Sequence, residues 1–203
     1  MDPISIALAL LNGWKIGSFI GELFSTKHAH DLQLAAESIN SFENNRSPAL
    51  LKKAIDCFER VDENDKKYAQ CLAFDGIARC YYVLSALSLQ EKRFDEALSY
   101  LSLGEHYPDK ILAMETTFFT RKGSEIEELQ SGVPETKELF RNFRQEILVK
   151  KAEEEERRRR EEEERRRNNS SSPSSEINWK TVAVSAVIAL VIAAVALLIV
   201  LFV

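Results

Sequence analysis

The sequence predicts an all-α chain: an antiparallel helical-hairpin bundle, a long charged single helix and a C-terminal transmembrane helix. Three observations carry this reading. Apolar residues recur three and four apart through residues 27–133, with few glycines and no alternating strand pattern. Residues 153–167 read EEEERRRREEEERRR. From Thr181 to Val203 the chain is almost wholly apolar, and no charged residue follows Lys180.

At 203 residues the chain has room for one ordinary domain plus extensions. Its hydrophobic share of 45% is concentrated toward the C-terminal end. The formal net charge is -5, and the basic residues sit beside acidic ones or near the apolar C-terminal run. A nucleic-acid binder would show an uncompensated basic face, so that class is excluded. Cys57, Cys71 and Cys80 are odd in number and form no CxxC pair, which fits reduced thiols in a cytosol-like space. Met1-Asp2-Pro3 is acidic where a cleavable signal would be basic, so no signal peptide is expected.

Residues 1–26 form the first element, an apolar segment in which Gly13, Gly17 and Gly21 recur every four residues. On a helix they line one face and permit close backbone approach. The segment could insert in a membrane, lie on its surface or pack within the domain. Asn12 and Lys15 interrupt the run, and a charge at mid-span costs about 2.5–3.5 kcal/mol. Docking on the soluble helices is therefore favoured over spanning.

Residues 27–133 read as a helical domain, with helices near 28–44, 47–61, 65–90, 93–106 and 109–122. Ser47-Pro48 reads as a cap followed by a first-turn proline. Pro108 is expected to end one helix and permit the next, and Gly123 to stop the helix that follows.

Residues 134–167 are expected to form a second region, a docking helix that starts near Pro134 and continues as a stalk. Leu139, Phe140, Phe143 and Ile147 make an apolar stripe that should dock on the domain, and the stripe vanishes beyond Val149. In 153–167, seven glutamates precede an arginine by four residues, the favourable order on a helix at about 0.2–0.5 kcal/mol per pair. Such a helix needs no hydrophobic partner and would serve as a spacer of roughly 25–30 Å at about 1.5 Å per residue. A polar linker, 168–178, follows, with NNSSSPSS at its start.

Residues 179–203 complete the chain. A helix over Thr181–Val203 matches the hydrocarbon thickness of a bilayer, roughly 30 Å. Trp179 and Lys180 sit where an interfacial aromatic and a snorkelling cation belong. The expected topology is single-pass, tail-anchored and N-terminus cytosolic.

One segment, YYVLSALSLQEKRFDEALSYLSLGEHYPD, resembles a tetratricopeptide repeat. Tyr81, Leu84 and Ser85 fall at the large, large and small positions of the repeat's first helix. Phe94 and Ala97 lie in the turn and second-helix start, and Leu101 and Gly104 follow at the next large and small positions. Upstream, Leu51, Ala54, Phe58 and Val61 echo this spacing 43 residues earlier, against the family's period of about 34. The resemblance covers roughly residues 38–108, one good and one degenerate repeat. It implies a scaffold that grips peptides or helices in a concave groove. The Lys, Asn and Arg set with which some members clamp a C-terminal carboxylate has no counterpart here, and Arg79, Lys92 and Arg93 read as solvated charges.

Signatures of catalysis are missing: no phosphate-cradling glycine loop, no GxSxG and no HExxH. His28 and His30 stand two apart, so on a helix they point to different faces and do not chelate together. His106 is expected near a helix C-terminus. No enzyme, cofactor or metal is expected. The leading function is a membrane adaptor that recruits a cytosolic protein or peptide through the repeat-like domain. The alternative is a membrane-active or self-assembling protein working through its glycine-spaced N-terminal helix. A short array pairs with itself to cover its ends, which leaves a homo-oligomer open. The tail-anchored fission and import receptors are similar in architecture. Those at mitochondria commonly carry a short basic tail after the anchor, which is absent here, so in a eukaryote the endoplasmic reticulum is favoured over the mitochondrial outer membrane.

Overall fold

The structure, a computed structural model, describes Ser5, Ala9, Leu11 and residues 29–61, 67–114 and 121–170, with backbone alone at 121–125 and 170. The described residues are all-α, without strands. The helices are α1 (Ala29–Asn45), α2 (Pro48–Glu59), α3 (Lys67–Gln90), α4 (Phe94–Gly104), α5 (His106–Leu112) and α6 (Arg121–Ser170). A first compact unit ends at Glu153 and a second begins at Glu154. The glycines Gly13, Gly17 and Gly21, the interfacial pair Trp179 and Lys180, and the C-terminal anchor lie outside the described residues.

Helix α3 is the centre of the first unit. It packs against α2, α4 and α5, while α1 pairs with α2. Eighteen of its residues, from Tyr68 to Leu89, are buried. It is long and apolar enough to cross a membrane by composition, yet 78% of its most apolar window is buried inside the protein. A helix apolar on all sides is what the core of a helical unit requires when neighbours cover every face. Leu11, from the N-terminal segment, is 2% exposed and belongs to the same core.

Two turns are made without glycine. Arg46 (φ 53°) and Lys92 (φ 58°) both adopt the left-handed region, the usual place for glycine after a helix. At the end of α3, Lys92 N–H donates to Leu89 O (3.0 Å) and Arg93 N–H to Ser88 O (2.8 Å). This is a Schellman closure, which satisfies carbonyls that the helix end leaves orphaned. It turns the chain straight into α4.

Several boundaries differ from the sequence reading. Ser47 precedes α2 in an extended conformation and Pro48 opens the helix, but the serine hydroxyl makes no capping bond. Pro108 does not separate two helices: it is the third residue of α5, where the amide it lacks would have no intrahelical acceptor. His106 is exposed and opens α5 rather than closing a helix. The helix expected over 109–122 is replaced by the end of α5 at Leu112 and the start of α6 at Arg121.

The largest difference is α6, which begins at Arg121 and not near Pro134. It takes in both Gly123, expected to stop a helix, and Pro134. Pro134 removes one helical hydrogen bond, at a cost of about 3 kcal/mol. Upstream of it, however, Ile126 is 5% and Val133 2% exposed. Burying two such side chains contributes about 1.5–3 kcal/mol each, enough to offset the proline. Gln130 adds a cap, donating from Nε2 to Met114 O (2.8 Å) and Ile111 O (3.0 Å) at the end of α5. Thr136 Oγ1 donates to Gly132 O, a neighbour of the interrupted bond (3.1 Å).

From Ile126, α6 buries a side chain every seven residues: Val133, Phe140 and Ile147 follow, and Phe143 joins them. Phe140 and Phe143 close on Tyr82 of α3, with centroids 5.4 and 4.7 Å apart. Beside that seam runs a second line at the same spacing, made of cations. Lys137 pairs with Asp109 (2.6 Å), Arg144 with both carboxylate oxygens of Glu105 (3.1 and 2.5 Å), and Lys151 with Asp95 (2.6 Å). Arg144 also donates to Ser102 Oγ (3.0 Å).

In the second unit the helix is held by its own charges. Glu156–Arg160 (2.5 Å), Glu162–Arg166 (2.7 Å) and Glu154–Arg158 (3.6 Å) follow the four-residue spacing. Arg157 bridges Glu154 and Glu161, tying one glutamate block to the next. The helix continues through Asn168, Asn169 and Ser170, three residues into the stretch expected to be linker.

Candidate binding surface

The hairpin of α3 and α4 is built from small residues facing each other. Ser85 and Ala97 are both fully buried, and Ser85 Oγ donates to Ala97 O across the hairpin (2.7 Å). Leu84 and Leu101 fill the space beside them at 2% and 0% exposure. Phe94, the first residue of α4, packs partly buried on the same core.

Gly104 is where three helices meet. A Cβ added there would lie 2.8 Å from Phe140 Cε1 of α6 and 3.0 Å from Tyr81 Cβ of α3. The tyrosine Cβ is fixed to the backbone and cannot swing aside, so any larger residue must spread the helices. All seven repeat-position residues are thus in or against the core, and Tyr81 and Phe94 also reach the surface. In the upstream echo, Leu51, Ala54 and Phe58 are buried and Val61 is 9% exposed.

Beyond the hairpin, half-buried aromatic rings form a row. Phe74 lies 5.9 Å from Tyr107, Tyr107 6.3 Å from Tyr81, and Tyr81 6.3 Å from Tyr100, the last two pairs stacked. Phe74 and Tyr81 come from α3, Tyr100 from α4 and Tyr107 from α5. Along the other side, α2 presents Lys52, Asp56 and Glu59, spaced so that they share one face.

Charge marks the two ends of the row. Lys110 Nζ stands 4.9 Å from the Tyr107 centroid and 5.2 Å from that of Phe74, a double cation–π contact. Burial first, and then the Glu59 carboxylate, push the Tyr107 hydroxyl up to about 12. Burial first, then Glu59 and Asp56, also raise Tyr81. At the far end the Tyr100 side chain raises the Lys52 pKa, and the lysine ammonium lies 5.6 Å from the ring centroid. Both lysines are exposed.

The other polar candidates are accounted for locally. Arg79 pairs with Asp75 (2.7 Å), and Arg93 with Glu91 and Glu96. All three cysteines are buried and free. Burial raises Cys57, pushes Cys71 up to about 11 and raises Cys80 further, so these thiols are held protonated and are poor nucleophiles. Cys71 Sγ lies 3.0 Å from Met114 Sδ. His30 is exposed on α1, and among the described residues no group of three metal-ligating side chains occurs.

The aromatic row was not picked out from the sequence. Part of its signal was there: Phe74 and Tyr81 are seven residues apart on α3 and so share a helix face, whereas Tyr100 and Tyr107, at the same spacing, fall on two different helices. Comparison with protein-family models, curated proteins and solved structures finds no match for this chain.

Proposed function

We propose that this protein is a tail-anchored membrane adaptor whose helical unit recruits a cytosolic protein or peptide. The observation that carries the reading is the row Phe74, Tyr107, Tyr81 and Tyr100. Half-buried aromatic rings edged by charge have the chemistry of interaction surfaces, where large rigid side chains supply area at little entropic cost. The tetratricopeptide-like spacing of Tyr81 through Gly104 supports the same reading. So does the uncharged apolar run Thr181–Val203, whose length suits a bilayer. In a eukaryotic cell the endoplasmic reticulum is the favoured address.

The burial of Leu11 in the core favours recruitment over a membrane-active role. The protein is read as acting by binding, with no catalytic step and no cofactor.

Proximity labelling in cells tests this, with the tag at the N-terminus. The full chain is compared with one lacking residues 177–203 and with Tyr100→Ser/Tyr107→Ser. A distinct set of cytosolic proteins should be enriched near one membrane, disperse on truncation and be lost from the double variant. Labelling of bulk membrane protein alone, with the truncated chain still pelleting with membranes, would defeat the adaptor reading.

A further inference from the structure

The Lys110 end of the aromatic row has the makings of a cation receptor. Two ring faces, Phe74 and Tyr107, converge on one ammonium at 5.2 and 4.9 Å. The face of an aromatic ring carries negative potential, so such a cradle attracts cations and not anions. The Glu59 carboxylate acts on the hydroxyl of the same Tyr107, raising it, and Asp56 joins it in acting on Tyr81. Rings and carboxylates together give this end a negative character.

The cation now seated there belongs to the protein itself. Lys110 lies in the last turn of α5 and is exposed, on a flexible four-carbon stem. A side chain held this way can leave without disturbing the core, since Ile111 and Pro108 anchor α5 from its other face. A guanidinium would fit the vacated place better than an ammonium. It stacks flat on a tyrosine and donates a fork of hydrogen bonds that a carboxylate accepts in pairs.

We propose that Phe74, Tyr107 and Glu59 form a receptor for a basic side chain, arginine before lysine, on the recruited partner, and that Lys110 fills it in the partner's absence. This rests on the adaptor reading and names what that surface selects. Lys110 then acts as a built-in competitor, and removing it raises the fraction of molecules ready to bind. A hydrogen-bonding cation is required, because a quaternary ammonium has nothing to donate to Glu59.

The test uses the full chain in maltoside micelles, with ring-labelled tyrosine and phenylalanine followed by NMR. The probes are acetyl-Ala-Arg-Ala-amide, the same peptide with glutamate, and tetramethylammonium, all at constant ionic strength. The arginine peptide should shift the Tyr107 and Phe74 signals saturably, and the glutamate peptide should leave them in place. Tetramethylammonium should bind more weakly than arginine. Lys110→Ala should tighten arginine binding about three- to tenfold by removing the competitor, and Glu59→Gln, on an exposed residue that leaves the core intact, should weaken it. The absence of an arginine shift in both the parent and Lys110→Ala overturns the proposal. Equal shifts from the glutamate peptide, or tetramethylammonium binding as tightly as arginine, overturn it too. If proximity labelling still depends on Tyr100 and Tyr107 while no peptide shift is seen, the receptor fails and the adaptor reading stands.

Discussion

Between Ile126 and Ile147, α6 buries a side chain every seven residues against the helices of the first unit. Between Glu155 and Asn169 the same helix leaves every side chain exposed. The first stretch tolerates Gly132 and Pro134 because tertiary burial outweighs local propensity. The second has only local terms to draw on, namely good helix formers and ion pairs one turn apart. Its sequence contains neither glycine nor proline before Asn168. One helix thus shows two ways of holding a backbone, and they should fail under different insults.

The greatest loss should come from the buried seam. Phe140→Ala removes a ring packed on Tyr82 and leaves a cavity beside Gly104, and should destabilise the first unit by about 3–5 kcal/mol in urea unfolding followed by circular dichroism. A loss under 1 kcal/mol would mean that α6 is not an integral layer of the unit. Gly104→Ala attacks the same junction from α4 by overfilling it. We expect about 1–3 kcal/mol, reduced in a Phe140→Leu background where the contacting ring is gone. Additive effects of the two changes would contradict the direct contact.

Smaller effects follow as the interactions become more exposed. Arg144→Ala deletes a paired contact to Glu105 that is only one-third exposed, and should cost about 1 kcal/mol in the same assay. Glu105→Gln should lose much of the same amount, and the double variant little more, which a double-mutant cycle would read. Least of all, Glu162→Gln in the stalk should cost no more than about 0.5 kcal/mol, seen as a small fall in the helicity of a 153–170 peptide. That peptide should lose helicity between 10 mM and 1 M salt, because exposed pairs are screened. Helicity indifferent to salt would show that propensity alone holds the stalk.

The pattern of what was legible in the sequence follows the same division. Helices set by local signals were readable: the α3–α4 turn, Pro48 at the start of α2, and the paired glutamate and arginine blocks. The stripe Leu139, Phe140, Phe143 and Ile147 was readable because its spacing is its function. The start of α6 was not. Gly123, Gly132 and Pro134 each argue locally against a helix, and what overrides them is distant: a core for Ile126 and Val133, and the carbonyls of Ile111 and Met114 for Gln130. Pro108 was misread for a related reason, since the same residue ends one helix or opens another according to where its missing amide falls. The aromatic row was hidden in another way. Its four rings come from three helices, and no single stretch of sequence holds more than one side of it.

The apolar character of α3 has a consequence during synthesis. Until the neighbours that follow it emerge, this helix offers the targeting and insertion machinery of the cell a segment that qualifies for a membrane by length and composition. Of its partners α2 is already made, and the cover from α4 and α5 is complete by Leu112, 22 residues after Gln90, which at about 5–20 residues per second takes roughly one to four seconds. The cover supplied by Phe140 and Phe143 arrives later still. The nascent chain therefore passes through an interval in which its core helix is a decoy. The Lys92 turn and the Ser85–Ala97 bond join α3 directly to α4, the first of these later covers to leave the ribosome.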